Sequence, residues 1–182
     1  MNLNKNKEII LASNSPRRKF FFELIDLPFT IKSFETKETY PKDLKGASIA
    51  RYIATKKASP FKKIIKKNQI VITADTIVWH QNKCLGKPKS KKQAKEMLKS
   101  LSGKTHEVIT AVGFLTFDNF KCIDVTTKVT FKEISESLIE DYIKEQNPFD
   151  KAGGYAIQDF TKTSCQTCKD QKQYSLYRIG GH

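Results

Sequence analysis

Short apolar runs rich in β-formers alternate with segments of helical period along the first hundred residues, and the pattern then changes to two long strands in succession. That order constrains the fold more than any other feature, because each strand must find a sheet and each intervening helix must cover it. Ile9-Ile10-Leu11 reads as a buried strand, and Phe20, Phe21, Leu24 and Ile25 follow at helical spacing. Phe29 to Phe34 alternates as a strand, and a polar loop runs from Thr36 to Lys45. Ile49, Ile53 and Lys57 then fall at i, i+4 and i+8 of a helix supported by Ala47, Ala50 and Ala54, which Pro60 ends or restarts. Ile70-Val71-Ile72 opens a strand that runs through Asp75 to Val78 or Trp79, with a turn at Asn82 before Cys84-Leu85. Ser90-x-x-Gln93 is a capping box, and Ala94, Met97, Leu98 and Leu101 form one helical face. The runs Val108–Phe117 and Phe120–Phe131, with Asp118-Asn119 between them, predict an antiparallel hairpin. Ser135 caps a last helix through Leu138, Ile139, Tyr142 and Ile143, which Asn147-Pro148 breaks. The expectation is an α/β (α+β) domain over residues 1–160 whose mixed, twisted sheet is flanked by helices. Residues 161–182 form an atypical tail.

A chain of 182 residues is long enough to bury a proper core. Its formal net charge of +14 admits two readings, a basic nucleic-acid or membrane patch, or scattered solvated lysine. The lysines are spread along the chain with only short runs such as Lys62-Lys63 and Lys66-Lys67, which favours scatter. No stretch approaches a membrane span, and the N-terminus has no apolar signal region, so the expected location is cytoplasmic, with no membrane partner. Cys165-x-x-Cys168 stands without a second pair or a histidine at ligand spacing, which is too little for zinc.

The chemistry concentrates in Leu11-Ala12-Ser13-Asn14-Ser15-Pro16-Arg17-Arg18. Ser15 suits an N-cap and Pro16 the first helical position, so a strand runs straight into a helix N-terminus whose unpaired N–H groups and dipole favour an anion. Two arginines sit in that first turn, against the dipole preference, and their forked donors suit phosphate. A solvated surface pair is the bland alternative. Asp75 is the second focus. A carboxylate inside an apolar run is costly unless paired, protonated or metal-bound, so it reads as a general base or metal ligand, or as a strand-end Asp facing solvent. Lys57 ends an apolar helical face, where snorkelling is the ordinary explanation. Lys87 sits in the tight segment Leu85-Gly86-Lys87-Pro88, and Lys151 to Gln158 is a glycine-bearing turn entering a strand. His80, His106 and His182 are given no role.

Taken in order, Leu11-Ala12-Ser13-x-Ser15-Pro16-Arg17-Arg18, Ala74-Asp75-Thr76-Ile77-Val78, Leu85-Gly86-Lys87-Pro88, Leu101-Ser102-Gly103-x-x-His106-x-Val108 and Asp150-Lys151-Ala152-Gly153-x-Tyr155-x-Ile157-Gln158 resemble the Maf family of septum-formation-inhibitor-like nucleoside triphosphate pyrophosphatases. The resemblance covers residues 7–159 and implies a Maf/ITPase-like fold with its active-site cleft beside the sheet. It implies phosphate binding by Ser13, Arg17, Arg18, Lys57 and Lys87, and a proton acceptor at Asp75. It associates Arg17, Thr76 and Gln158 with base selection. Glu38, with Glu35 as a close neighbour, falls where the family has an acidic residue linked to a metal. The Lys-Ala-Gly-x-Tyr-x-Ile-Gln form resembles the branch acting on dTTP and UTP.

The implied reaction is hydrolysis of a nucleoside triphosphate substrate between its α- and β-phosphates, giving the monophosphate and pyrophosphate. Asp75 and Glu38, as oxygen ligands, suit a divalent cation, Mg2+ or Mn2+, better than zinc. The chain departs from the family after Gln158, where a glycine-bearing strand pair and a final helix are expected and a polar, lysine-rich stretch stands instead. That ending reads as truncated or frame-altered, and it replaces segments that serve the family homodimer. Two alternatives follow: a catalytically impaired nucleotide-binding relative, and a basic nucleic-acid-binding domain. The second needs exposed aromatics among clustered basic residues, whereas the aromatics here lie at core-like positions, so no stable nucleic-acid partner is expected.

Overall fold

The computed structural model describes residues 7–156 and residue 159. Among these, six strands form one sheet of mixed direction, accompanied by four α-helices. The elements are β1 (Glu8–Leu11), α1 (Pro16–Leu24), β2 (Phe29–Ile31), α2 (Ala47–Ala58), β3 (Gln69–His80), β4 (Lys83–Leu85), α3 (Lys91–Leu101), β5 (Thr105–Leu115), β6 (Phe120–Thr130) and α4 (Glu136–Glu145). The strand order is β2-β1-β3-β5-β6, with β4 paired to β3. The expected α/β class with a mixed sheet is what forms.

The chain divides into two compact units, one of residues up to Ile77 with Ile109–Thr126, the other of Val78–Val108 with residues from Thr127 on. In the first unit, β1 lies parallel to both β2 and β3, with Ile9 opposite Phe29 and Ile70. A parallel pair needs a crossover, and the helical segments after β1 and β2 supply it. Ile10, Ala12, Ala58, Phe61, Ile65, Val71 and Leu115 make its core. Helix α2 buries Ile49, Ala50, Ile53, Ala54 and Ala58, the stripe that its period predicts. Pro60 does restart the chain, as a 3-10 turn over Ser59–Lys63. Gly113 lets β5 close on its neighbours. A Cβ there would stand 2.7 Å from the Thr73 hydroxyl and 2.8 Å from the Phe120 ring.

Helix α1 departs from expectation. The helical repeat Phe20, Phe21, Leu24, Ile25 predicts a buried face, yet none of the helix's residues is buried and Phe20 and Leu24 are 56% and 63% exposed. The side chain that turns inward is Phe22, whose ring meets Phe29 of β2 edge-on at 5.2 Å. The apolar residues of α1 are therefore not the core-like aromatics that the sequence pattern suggests. The strand expected over Phe29–Phe34 is also shorter, since pairing stops at Ile31.

In the second unit, α3 and α4 pack Ala94, Leu98, Leu101, Ile139, Tyr142 and Ile143 with Val78 and Tyr155. Both capping serines act as expected: Ser90 Oγ accepts from the Gln93 N–H and Ser135 Oγ from that of Leu138. The capping box is shifted at its other half, because Gln93 Oε1 accepts from Lys89 N rather than from Ser90. The hairpin is antiparallel. Thr105 meets Thr130, Phe131 N donates to Lys104 O, and Thr116 N donates to Asn119 O, so residue numbers fall on one strand as they rise on the other.

Candidate active site

Ala12 N donates to Ile72 O, and the chain then leaves the sheet. Ser15 occupies the N-cap of α1 with extended backbone angles, and Pro16 is its first residue. The cap works differently from the sequence reading. Ser15 makes no side-chain cap bond, whereas buried Ser13 turns its Oγ to accept from the Ser15 N–H at 3.2 Å and from Arg18 Nη1 at 2.9 Å. Ser13 thus fixes both the loop and one guanidinium. Burial lowers the Arg18 pKa, opposed by the charges of Asp75 and Glu38, with Arg17 adding a smaller lowering effect. A desolvated guanidinium at a helix N-terminus, facing two carboxylates, is poised for an anionic group.

Asp75 sits in the middle of β3 and is 5% exposed, so the solvent-facing reading does not hold. Its companion from α2 is Lys57. Lys57 Nζ donates to Asp75 Oδ1 at 2.6 Å and to Glu38 Oε1 at 2.9 Å. The snorkelling alternative fails too, because this ammonium ends on two carboxylates. Burial raises the Asp75 pKa above the ordinary carboxylate range. The charge and hydrogen bond of Lys57 oppose that shift, Glu38 adds to it and Arg18 counters it. Glu38, placed by its neighbourhood in the loop after β2, is therefore the acidic partner rather than Glu35.

The loop that carries Glu38 is held from α2 at two successive lysines. Lys56 Nζ donates to Thr39 O at 3.2 Å and to Thr39 Oγ1 at 2.9 Å, next to the contact of Lys57 with Glu38. Lys56 was not legible as a site residue. Its only sequence signal is adjacency to Lys57. Thr76, half-buried, shares a hydrogen bond of 3.0 Å with the hydroxyl of Thr110 on β5. Of the sequence-predicted residues, the first unit brings together Ser13, Arg18, Glu38, Lys57 and Asp75; Arg17 and Thr76 belong to the same unit.

Lys87 belongs to the second unit, where its segment is tied to the glycine turn by Gly153 N donating to Gly86 O at 3.0 Å. Gly153 has φ +70° and no room for a Cβ, with Val78 Cγ2 3.0 Å from where it would stand, so the turn needs glycine. Lys151 is buried and its Nζ reaches Asn147 O, with Asp159 Oδ2 at 3.4 Å. His106, 2% exposed, contacts the Tyr155 hydroxyl through Nε2. Gln158, Cys165, Cys168 and the tail from 161 lie outside the described residues. Among the described residues, no group of three or more His, Cys, Asp or Glu is placed to hold a metal, and no helix is long and apolar enough to cross a membrane.

The sequence profile of the Maf-like protein family matches residues 8–173. This chain belongs to the Maf-like family. A dTTP/UTP pyrophosphatase of Flavobacterium johnsoniae is 49% identical over 156 residues, covering 86% of this Maf-like chain and 80% of that protein. A dTTP/UTP pyrophosphatase of Bacteroides fragilis is 43% identical over 160 residues, with 87% and 82% covered. One from Bacillus cereus is 43% identical over 152 residues, with 84% and 79% covered. Among solved structures, the Ham1 protein of Staphylococcus aureus superposes with a TM-score of 0.50 at 18% identity, covering 71% of the Maf-like chain and 73% of that one. That likeness concerns the fold alone.

Proposed function

We propose that this chain is a nucleoside triphosphate pyrophosphatase that hydrolyses dTTP and UTP to the monophosphate and pyrophosphate. The observation that carries the reading is the buried Asp75 carboxylate, raised in pKa and gripped with Glu38 by one ammonium, close to the charge of Arg18. The relatives named dTTP/UTP pyrophosphatases support the choice of substrate.

The residues divide the work. Arg18, held by Ser13, and Arg17 beside it receive the negative oxygens of the triphosphate and offset the charge that builds on the departing pyrophosphate. Water adds to phosphorus at the α,β bridge as the bridging P–O bond breaks, and its proton passes to Asp75. A pKa lifted by burial brings this carboxylate nearer to neutral pH, where a general base is more effective. The resemblance gives Lys87 a phosphate-facing role, and Arg17, Thr76 and Gln158 a part in selecting the base.

A divalent cation fits this donor set. Two carboxylate oxygens already converge on a positive charge, that of Lys57 Nζ, and magnesium is commonly held by one or two carboxylates with substrate oxygens and water completing its shell. Asp75 and Glu38 would hold it, and when bound it supplies Lewis-acid polarisation of phosphoryl oxygens. Mg2+ and Mn2+ both suit oxygen ligands of this kind.

The test is pyrophosphate release from dTTP, UTP, CTP and 7-methyl-GTP with magnesium. Release from dTTP and UTP above the other two supports the reading, and nucleotide binding without release from any of the four overturns it.

A further inference from the structure

We propose that Lys57 is an internal counter-cation, which a divalent ion must displace before Asp75 and Glu38 can hold that ion. The proposal rests on the reading that these two carboxylates are the cation's ligands. Lys57 Nζ lies 2.6 Å from Asp75 Oδ1 and 2.9 Å from Glu38 Oε1, so the ammonium occupies the point on which both donors converge. The Lys57 side chain is 15% exposed and that of Asp75 8%, so this contact is shielded from solvent and salt, whereas Glu38, 42% exposed, leaves the other side open to an entering ion. An ammonium is a compact point charge, and a divalent ion placed between the same oxygens would sit against it. Repulsion at that distance is too large to coexist with both contacts.

The lysine's flexible stem offers an exit. Entering phosphate oxygens would take the ammonium, which frees the carboxylates for the ion. Nucleotide then strengthens ion binding, and by linkage the ion strengthens nucleotide binding to the same degree. Without nucleotide, Lys57 stabilises two neighbouring carboxylates that would otherwise repel each other, and it keeps ion affinity low. Lysine at this position has a resting task distinct from any contact it makes with substrate.

The experiment is Mn2+ binding to nucleotide-free protein at about pH 8, followed by the loss of the free-ion paramagnetic resonance signal. Lys57→Met, neutral and of similar length, is expected to bind Mn2+ about tenfold more tightly than wild type, and Lys57→Arg to bind as wild type does. Binding by Lys57→Met equal to or weaker than wild type, including none detectable in either, overturns the proposal. Adding Glu38→Gln to Lys57→Met should abolish the gain. A gain that persists there means the ion sits elsewhere and the ligand reading is wrong, while loss of pyrophosphatase activity is read separately in the wild type. A second measurement needs no variant. Titrating Mg2+ into nucleotide-free wild type should shift the Lys57 Cε–Hε NMR signal in step with ion binding, and a signal that stays fixed as the ion binds overturns the displacement.

Discussion

Lys57 Nζ stands 2.6 Å from Asp75 Oδ1, and that single contact joins α2 to β3 at the most buried carboxylate of the candidate site. The titration of Asp75 depends on how far this ammonium, with Arg18, offsets burial and the charge of Glu38. Burial pushes the carboxyl up, and Lys57 is the first influence that pulls it back.

Replacing Asp75 with Asn removes the proposed proton acceptor and keeps the shape. The expected result is a loss of roughly 10²–10⁴ in turnover with dTTP, the range in which general-base help falls, with the fold intact. Steady-state pyrophosphate release gives the rate and far-ultraviolet circular dichroism checks the fold. Near-normal turnover in a folded Asp75→Asn protein would remove Asp75 from the chemistry.

Removing Lys57 should raise the Asp75 pKa further, because both its charge and its hydrogen bond act downward on that group. In wild type the carboxyl already titrates above the ordinary value of about 3.9, and in Lys57→Met the midpoint should move to still higher pH. Carbon-detected NMR of the Asp75 carboxyl in metal-free protein reads both midpoints. A raised carboxyl pKa means the folded state binds more protons than the unfolded one in that window, so this group's contribution to stability falls as pH rises through it. A midpoint that drops on losing Lys57 contradicts the account.

Ser13 holds the loop between β1 and α1 together by a side chain that no helix-capping rule points to. Its Oγ accepts from both Ser15 N and Arg18 Nη1, so Ser13→Ala frees the loop and a desolvated guanidinium at once. A hydrogen bond to a charged group contributes about 1.5–3 kcal/mol, which predicts a fall in kcat/KM of roughly 10–100-fold. Because Arg18 grips the triphosphate and also offsets charge on the departing pyrophosphate, the fall is expected in kcat as well as in KM. Ser13→Thr, which keeps the hydroxyl, should recover part of it. An unchanged kcat/KM in Ser13→Ala would show that Arg18 needs no such support.

How much of this was legible from the residues varies with the kind of signal. Period 3.6 placed α2, α3 and α4, and the Asp118-Asn119 break placed the hairpin, because in each case burial and local propensity point the same way. Helix α1 misled, since Phe20, Phe21, Leu24 and Ile25 repeat like a core face while Phe22 is the ring that meets β2. At the site, motif spacing singled out Ser13, Arg18, Lys57 and Asp75. It could not show that Lys57 bridges Asp75 to Glu38 rather than snorkelling, because that depends on a loop of irregular backbone with no period to read. The support that Lys56 gives to Thr39 is invisible for the same reason. His106 falls in a family motif that assigned it no role, and only its packing against His80, Phe131 and Tyr155 shows its environment.

His106 gives the second unit an acid-sensitive group. It is 2% exposed, surrounded by the rings of Phe131, Tyr155 and His80, and its Nε2 contacts the Tyr155 hydroxyl. Burial, with a smaller contribution from His80, pushes its pKa down from 6.5 to about 4. Between those values the unfolded chain binds a proton that the folded one refuses. Stability must therefore fall as pH drops below about 6.5 and stop falling from this source near 4. Urea unfolding of wild type and His106→Gln across that range separates this histidine from every other group, because shared titrations cancel in the difference. Gln keeps a polar partner for Tyr155 and cannot gain a charge, so the variant should be less stable near neutrality and lose less on acidification. If the two proteins lose stability in parallel from about pH 6.5 to 4, His106 is not the acid-sensitive element of the second unit.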